Sequence, residues 1–217
     1  AGSFNTAIGP LALISNGTGD FNTAIGPYAD VTSGGLTNAA AIGYGTMVNN
    51  SNKIRLGNTS VTVVEGNASY TVSDGRFKSD LRQNVPGLDF VTRLQPVTYH
   101  FDYPAFSNFI GERGADRASL EGRKEQIEAG FVAQQVEEVC QSLGMDYANM
   151  VHAPDSEFDD YSLSYSALVV PLVQAVQEQQ VMIDEKDKEI QQLQQQLLSF
   201  QDRLARIEAL LDISVEA

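Results

Sequence analysis

Apolar residues in the first part of the chain recur with a period of seventeen. The heptapeptide Phe-Asn-Thr-Ala-Ile-Gly-Pro occupies residues 4–10 and 21–27, and a further step of seventeen reaches Ala-Ile-Gly at residues 41–43. A second apolar position keeps the same period and holds Ile14, Val31 and Val48. Such a repeat is typical of stacked β-coils, in which each unit supplies one or two inward aliphatic side chains and turns at Gly and Asn.

The repeat predicts a β-roll or β-solenoid stem over residues 1–57. Leu56 follows Ile42 by fourteen residues, which indicates a shortened last coil. The core of each coil is thin, so we expect several chains to share it and the sequence to belong to a longer fibre. A disordered Gly-, Asn- and Thr-rich linker is the alternative interpretation, and the phased Ile and Val positions oppose it. Residues 58–72 are predicted to form a connecting strand.

The end of the chain alternates apolar residues at spacings of four and three without a slip. Position a of the heptad holds Val176, Ile183, Ile190, Leu197, Leu204 and Leu211. A heptad kept in register over this length is typical of a coiled coil. A helix over residues 167–212 would be about 65 Å long, more than one small chain could cover. We therefore predict a C-terminal α-helical coiled coil over residues 168–217.

The core residues leave the number of helices open. Ile190 at a with Leu193 at d favours a dimer, whereas Leu204 at a with Ile207 at d favours a higher order. The segment Arg-Leu-Ala-Arg-Ile-Glu at residues 203–208 matches a short trimerisation pattern, in which an Arg lies over the core and pairs with a Glu of the next helix. Together with the stem it favours a homotrimer. The predicted trimerisation residues are Arg203, Leu204, Ile207 and Glu208.

Composition excludes several classes of function. The net charge is −14, whereas a nucleic-acid binder needs a basic face, so no nucleic-acid partner is expected. No apolar run is long enough to cross a bilayer, and no membrane insertion is expected. Cys140 is the single cysteine and His100 and His152 are the two histidines. A disulfide framework and a cysteine-based zinc site are therefore excluded, and neither a metal nor a cofactor is expected.

The candidate chemistry lies in Ser-Asp-Gly-Arg-Phe-Lys at residues 73–78. By themselves, a Ser and a Lys five positions apart indicate only a solvated turn. Three motifs follow in order, Gln-Pro-Val-Thr-Tyr at 95–99, Gly-Phe-Val-Ala-Gln at 130–134 and Tyr-Ser-Leu-Ser-Tyr at 161–165. As an ordered set over residues 73–180 they resemble the peptidase S74 domain, the intramolecular chaperone of phage tail spikes and endosialidases. The repeats of residues 1–57 resemble the head repeats of trimeric autotransporter adhesins and related phage fibre stems.

The S74 resemblance implies a serine endopeptidase that acts once and in cis, on the bond between Val72 and Ser73. Ser73 would attack the carbonyl of Val72 and shift the acyl group from nitrogen to oxygen, and water would hydrolyse the ester. A serine hydroxyl needs a base. Lys78 is assigned that role on condition that its ammonium group is desolvated, because desolvation lowers the pKa of a lysine. Asp74 joins the catalytic set as a residue that orients a backbone amide or Lys78.

Two features depart from the family pattern. Residues 103–128 are expected to be a charged, inserted loop. His100 is interpreted either as an ordinary hydrogen-bonded strand residue or as a histidine near the site, and the first interpretation is favoured.

The sequence thus predicts an α+β chaperone core over residues 73–167, between an N-terminal trimeric β-roll stem and a C-terminal coiled coil. The homotrimer would register the strands of a cell-surface or virion fibre and then release itself, and the full-length fibre would bind a cell-surface receptor. The alternative is a trimeric fibre tip or adhesin that never cleaves, which a ligand-sized groove in residues 103–128 would favour. A membrane-tethered transcription factor of the myelin regulatory type shares the S74 core, but this sequence lacks that family's other domains.

Overall fold

The structure is a computed structural model that describes residues 2–66, 71–145 and 149–215, with side chains up to residue 210. It is a mixed α and β fold with a long C-terminal helix. The chain divides into two compact units, Ala1–Leu81 with Leu94–Ser164, and Arg82–Arg93 with Tyr165–Ala217. Residues 82–93 thus group with the long helix, although they lie inside the predicted chaperone core. The domain boundaries expected from the sequence stay a prediction.

Six short strands of the first unit lie in the repeat region. They are β1 (Thr6–Ile8), β2 (Thr23–Ile25), β3 (Asp30–Val31), β4 (Ala40–Ile42), β5 (Met47–Val48) and β6 (Ile54–Leu56). Strands β1, β2, β4 and β6 form one parallel sheet in that order, and β3 pairs in parallel with β5. The register pairs Ile8 with Ile25 and Ile25 with Ile42, and then Ile42 with Leu56. The ladder therefore steps by the seventeen residues of the sequence repeat and then by the fourteen of its last unit.

The interior of these coils consists of small side chains. Each of Ala24, Ala29, Val31, Ala39, Ala41 and Val48 is at most 2% exposed. Ile25 and Ile42 follow buried alanines in their strands and are 39% and 37% exposed, because successive side chains of a strand point to opposite faces. The expected inward aliphatic residue is therefore Val31 or Val48, and not the Ile of the Ala-Ile-Gly unit. A line of apolar side chains on the outer face runs through Ile8, Ile25, Ile42 and Leu56, which we call the isoleucine stripe.

A column of glycines turns the chain after three of these strands. Gly9, Gly26 and Gly43 have φ angles of 123°, 127° and 120°, which L side chains rarely adopt. A Cβ atom on Gly9 would lie 2.7 Å from the carbonyl carbon of Gly26 in the next coil. Only glycine therefore allows both the turn and the close stacking of coils.

The remaining elements follow in chain order. They are α1 (Leu88–Val91), β7 (Val97–His100), α2 (Tyr103–Phe109), α3 (Arg117–Lys124), β8 (Ile127–Gly130), α4 (Ala133–Ser142), β9 (Val151–His152), β10 (Ser162–Leu163) and α5 (Val169–Val215). Strands β7 and β8 pair antiparallel, as do β9 and β10. The expectation that residues 103–128 form a loop is wrong, because α2 and α3 lie there. That the segment is an insertion stays a prediction. Asp102 and Asp116 accept hydrogen bonds from amides in the first turns of these helices, which caps them.

The second unit consists of α1 packed against the start of α5. Phe90 of α1 is fully buried, and a Cβ atom on Gly87 would lie 2.6 Å from the amide nitrogen of Ala175. Glu178 of α5 accepts a hydrogen bond of 2.7 Å from the amide of Leu88. This bond, with a second from the Gln174 side chain, lowers the pKa of Glu178. One end of α5 is thereby anchored within its own unit.

Helix α5 is 47 residues long, about 70 Å at 1.5 Å per residue. Its apolar heptad residues stand in solvent along most of this length, and Ile190, Leu197 and Leu204 are 50%, 57% and 57% exposed. The predicted long helix is therefore present, while its pairing into a coiled coil stays a prediction. Leu211, predicted at position a, lies outside the described side chains.

The predicted connecting strand is wrong for the part of residues 58–72 that the structure describes. Residues 58–66 and 71–72 contain no strand, and residues 67–70 lie outside the described chain. Val63 and Val64 are more than 60% exposed. A strand needs a partner for its backbone hydrogen bonds, and no neighbouring strand of the described chain pairs with this segment. Among the described helices, none is long and apolar enough to cross a membrane.

Candidate active site

The candidate nucleophile and base lie at the two ends of one turn of 3-10 helix. This turn spans Gly75–Phe77, and the amide of Lys78 donates to the carbonyl of Gly75 at 3.2 Å. The turn brings the Lys78 ammonium to 2.7 Å from Ser73 Oγ, to which it donates a hydrogen bond. The two residues predicted to act together are therefore in direct contact.

Asp74 begins the turn and pairs with Arg76. Its Oδ1 accepts from the Arg76 amide at 2.9 Å, and its Oδ2 lies 2.6 Å from Arg76 Nη2. The hydrogen bonds from the Arg76 side chain and then from its amide lower the pKa of Asp74. An ionised carboxylate held by three donor nitrogens of Arg76 is suited to orienting the turn. Asp74 thus holds a backbone amide of the turn, and its predicted part in the chemistry stays a prediction.

The role of Arg76 was not assigned from the sequence, although it belongs to the motif. Its guanidinium Nε and Nη2 both donate to Asp74 Oδ2. The same group lies 5.7 Å from the centre of the Phe77 ring. The spacing of two residues from a capping aspartate is a signal that could have indicated this pair.

The whole segment around the bond between Val72 and Ser73 stands in solvent. Val72 is 88% exposed, Phe77 80% and Leu81 78%. Several large apolar side chains exposed close together along the sequence are typical of a site of interaction with another protein surface. In one chain, the Ser73 and Lys78 side chains are open to water.

The other motifs of the S74 resemblance lie on regular elements. The Pro-Val-x-Tyr motif leads into β7, the Gly-Phe-x-Ala-Gln motif joins β8 to α4, and the last motif leads through β10 into α5. A ring nitrogen of His100 lies 3.1 Å from the carbonyl oxygen of Lys124. This agrees with the favoured interpretation of His100 as a hydrogen-bonded strand residue.

A second polar cluster was not predicted. Residues 155–160, which we call the acidic loop, reach the last coil of the repeat region. The Lys53 ammonium lies 2.9 Å from both Asp159 Oδ1 and Asp160 Oδ1, and Arg55 Nη2 lies 2.8 Å from Asp160 Oδ1. His152 Nε2 is 2.7 Å from Asp159 Oδ2. The aspartates lie 105 to 107 positions from Lys53 and Arg55, so no local sequence signal marks these pairs.

The two carboxylates of this cluster are stabilised in their ionised form. Burial, the largest influence, would raise the pKa of Asp159, but hydrogen bonds from Lys53, His152 and the Asp160 amide together hold it far below its usual range. Burial opposes ionisation of Asp160 too, and its pKa is nevertheless lowered by Lys53, Asn49 and Arg55. Both aspartates therefore depend on cations of the last coil.

A cleft of about 450 Å³ opens beside this coil. Its lining combines Arg55 and Thr59 with aromatic residues of β7 and α2 and with Arg123 and Glu128. The Arg123 guanidinium lies 3.8 Å from the centre of the Tyr103 ring, and the Tyr103 hydroxyl donates to Glu128 at 2.6 Å. We call this the aromatic cleft. Among the described residues, no group of three or more His, Cys, Asp or Glu is placed to hold a metal ion.

Residues 73–145 match the family model Peptidase_S74, described as the chaperone of endosialidase. The match begins at Ser73 and covers about a third of the chain. The resemblance of this segment to the S74 domain is thereby confirmed. No curated protein and no solved structure matches the chain.

Proposed function

We propose that this chain is an intramolecular chaperone that brings three fibre chains together, registers their stems and then cuts itself from them between Val72 and Ser73. The observation that carries the proposal is the 2.7 Å contact between Lys78 Nζ and Ser73 Oγ, at the first residues of the segment that matches Peptidase_S74. The enzyme activity is a single self-cleavage, with no turnover of external substrates.

The chemistry begins when Ser73 Oγ attacks the carbonyl carbon of Val72. The hydroxyl proton passes to the neutral amine of Lys78, a new C–O bond forms, and the peptide C–N bond breaks. The departing nitrogen takes a proton and becomes the amino terminus of Ser73. Water then adds to the ester, the C–O bond breaks, and the products are a carboxylate on Val72 and the restored hydroxyl of Ser73.

Exposure of the site explains how cutting would wait for assembly. An ammonium group in water is not a base at neutral pH, and burial lowers the pKa of a lysine because it disfavours the charged form. Val72 and Phe77 are among the most exposed apolar side chains of the chain. A neighbouring subunit that covers them would also desolvate Lys78. Before assembly, the hydrogen bonds between Asp74 and Arg76 stabilise the conformation of the turn.

Two exposed apolar surfaces support a homotrimer. The isoleucine stripe follows the sheet of β1, β2, β4 and β6, and a β-roll of three chains would bury it. The apolar heptad residues of α5 would form a coiled-coil seam, since within the described part of its own unit only α1 and the turn Tyr165–Leu168 pack against the helix. Arg203 already lies 5.9 Å from the centre of the Phe200 ring, over a d position.

The proposed layout is a stem over residues 1–57, a connector to Val72, the chaperone core over residues 73–167 and the coiled coil over residues 168–217. The coiled coil raises the local concentration of stem ends, which favours the slow, non-local closure of a β-roll. The descriptions of the S74 family favour a virion fibre or cell-surface location for the assembled protein.

The aromatic cleft favours a second candidate function, a retained fibre tip that binds a receptor. Five of its lining residues lie within 103–128, where a groove was the feature expected of a tip. Aromatic rings beside two arginines suit a ring-shaped, anionic ligand. On this hypothesis the chain would stay whole.

The test is intact mass and denaturing gel analysis of the freshly folded chain beside Ser73→Ala and Lys78→Met. We expect the parent to give two pieces that meet at Val72–Ser73 and both variants to stay whole. Ser79→Ala is the matched control, because it removes a serine hydroxyl one residue from Lys78 and should cleave like the parent. A parent that stays whole as a trimer after prolonged incubation would overturn the proposal in favour of the retained tip.

A further inference from the structure

The proposed cut divides a chain whose two halves contact each other elsewhere. The stem and residues 94–164 belong to one compact unit, although the bond between Val72 and Ser73 lies between them in sequence. Cutting that bond removes a covalent link and leaves every other contact of the unit in place. The strength of those contacts decides what happens to the pieces.

The acidic loop makes the first contact. Lys53 and Arg55 of the last coil are 20% and 13% exposed, and the Asp159 side chain that Lys53 meets is fully buried. Asn50 Nδ2 donates to Asp159 Oδ2 at 2.7 Å. Hydrogen bonds between ionised partners are about twice as strong as neutral ones. Separation would leave a buried carboxylate and two cations to be hydrated again.

Arg113 makes the second contact, with the opposite polarity. Its Nη1 lies 3.1 Å from Oδ2 of the fully buried Asp30, and its Nη2 donates to Ser15 Oγ at 3.0 Å. The backbones approach closely here, because a Cβ atom on Gly45 would lie 2.4 Å from the carbonyl oxygen of Arg113. Here the cation is on the chaperone side and the anion on the stem side.

Glu112 makes the third contact, beyond the last coil. Its carboxylate accepts from the hydroxyl of Thr59 at 2.5 Å and from the amide of Thr59 at 3.2 Å. The guanidinium group of Arg123 donates to the carbonyl of Thr59 as well. Three separate points therefore hold residues 1–72, two in the stem and one in the connector, and each uses at least one charged partner.

We propose that these three contacts form a latch that keeps residues 73–217 bound to residues 1–72 after the bond between Val72 and Ser73 is cut. This inference rests on the proposed function for the origin of the cut. The latch fits one kind of partner, a β-coil that presents Asn49, Asn50, Lys53 and Arg55 in this spacing. Cutting and release are then separate steps, and release requires the ion pairs to break.

The experiment uses the full chain with an affinity tag before residue 1. After self-processing, the chain is bound to resin in native buffer and washed, and the retained pieces are read on a denaturing gel. In a second arm, a site-specific protease sequence is inserted after the exposed Gly66 of the Ser73→Ala chain. This arm makes a cut that does not depend on the chain's own chemistry.

We expect the carboxyl-terminal piece to stay on the resin in both arms. With Asp159→Asn and Asp160→Asn together, Lys53 and Arg55 lose their counter-ions. We expect the cut halves of this variant to bind each other roughly a hundredfold more weakly, and the untagged piece to wash away. The control is Asp184→Asn with Asp187→Asn, two exposed positions of α5, which removes the same charge and should retain the piece.

A folding defect is detected by comparing uncut chains in size-exclusion chromatography and circular dichroism. If the double variant fails this comparison, Arg113→Gln tests the second contact, and a faster loss of the untagged piece is again expected. Parent halves that part at once in the protease arm would overturn the latch, as would acidic-loop and Arg113 variants that hold as tightly as the parent. A chain that does not cut itself overturns the proposed function alone, because the protease arm still decides the latch.

Discussion

The polar cluster at Ser73 and the polar cluster at Asp159 are built in opposite ways. The first joins residues two and five positions apart in one exposed turn. The second joins residues about a hundred positions apart around a carboxylate that is fully buried. A local turn forms without the rest of the fold, whereas the buried cluster forms only when the last coil and the acidic loop have both folded. The first is therefore suited to chemistry and the second to holding the fold together.

The sharpest way to test this difference is to remove Asp159. Asp159→Ala leaves Lys53 without its deepest partner, and breaking such a pair costs about 3 kcal/mol or more in the free energy of unfolding. Denaturant unfolding of the variant and the parent measures this loss. Asp155→Ala, at the exposed end of the same loop, is the control and should cost less than about 1 kcal/mol. Equal losses in the two variants would contradict the central place of Asp159.

Acid should act on the same cluster. A carboxyl group whose pKa is lower in the folded than in the unfolded state stabilises the fold above the unfolded value, which is about 4 for aspartate. That stability is lost as the pH falls from there toward the folded pKa. Because the pKa values of Asp159 and Asp160 are both lowered, we expect the urea midpoint to fall below about pH 4. Asp159→Asn should show a shallower decline, and an identical decline in both chains would count against the assignment.

Removal of Arg113 should have a smaller effect. The Arg113 side chain is 41% exposed, so water can replace part of the hydrogen bonding that Asp30 loses. The amides of Ser15 and Val31 still donate to the Asp30 carboxylate. We expect Arg113→Ala to lower the free energy of unfolding by about 1 kcal/mol. Arg117→Ala, an exposed arginine at the start of α3, should change the midpoint by less than the error of the measurement. A loss for Arg113→Ala as large as that for Asp159→Ala would be inconsistent with this ranking.

At the Ser73 turn we expect no loss of global stability. Asp74→Ala removes the residue that both caps the turn and pairs with Arg76, whose side chain is 81% exposed while that of Asp74 is 34% exposed. The unfolding midpoint should match that of the parent, while self-cleavage followed by gel over time should slow several-fold. Asp80→Asn, two residues beyond Lys78, keeps a side chain that tolerates the φ of 52° at this position and should leave both quantities unchanged. A large shift in the midpoint of Asp74→Ala would mean that the turn supports the fold.

Much of the local structure was predictable from the sequence, and most of the tertiary contacts were not. The pairing of Ile25 with Ile42 follows the seventeen-residue repeat, and α5 follows a heptad repeat. Both could therefore be predicted from periods in the sequence. Ser73 and Lys78 are five positions apart, which a single turn spans. The bond between Lys53 and Asp159 depends on how distant segments pack, and no periodicity carries that information. The helices α2 and α3 were missed, although Asp102 and Asp116 cap them, because the charged and glycine-containing run at residues 111–117 is typical of a loop.

The step of seventeen residues in the parallel ladder has a consequence for the length of the repeat region. Adjacent strands of a sheet lie about 4.8 Å apart, so each inserted unit would lengthen the stem by about that distance. Gly9, Gly26 and Gly43 make successive units interchangeable, because each presents the same turn to the next. The shortened unit that carries Lys53 and Arg55 would remain last in every such chain. If the proposed function holds, one unchanged chaperone could assemble stems of many lengths, which differ by whole coils.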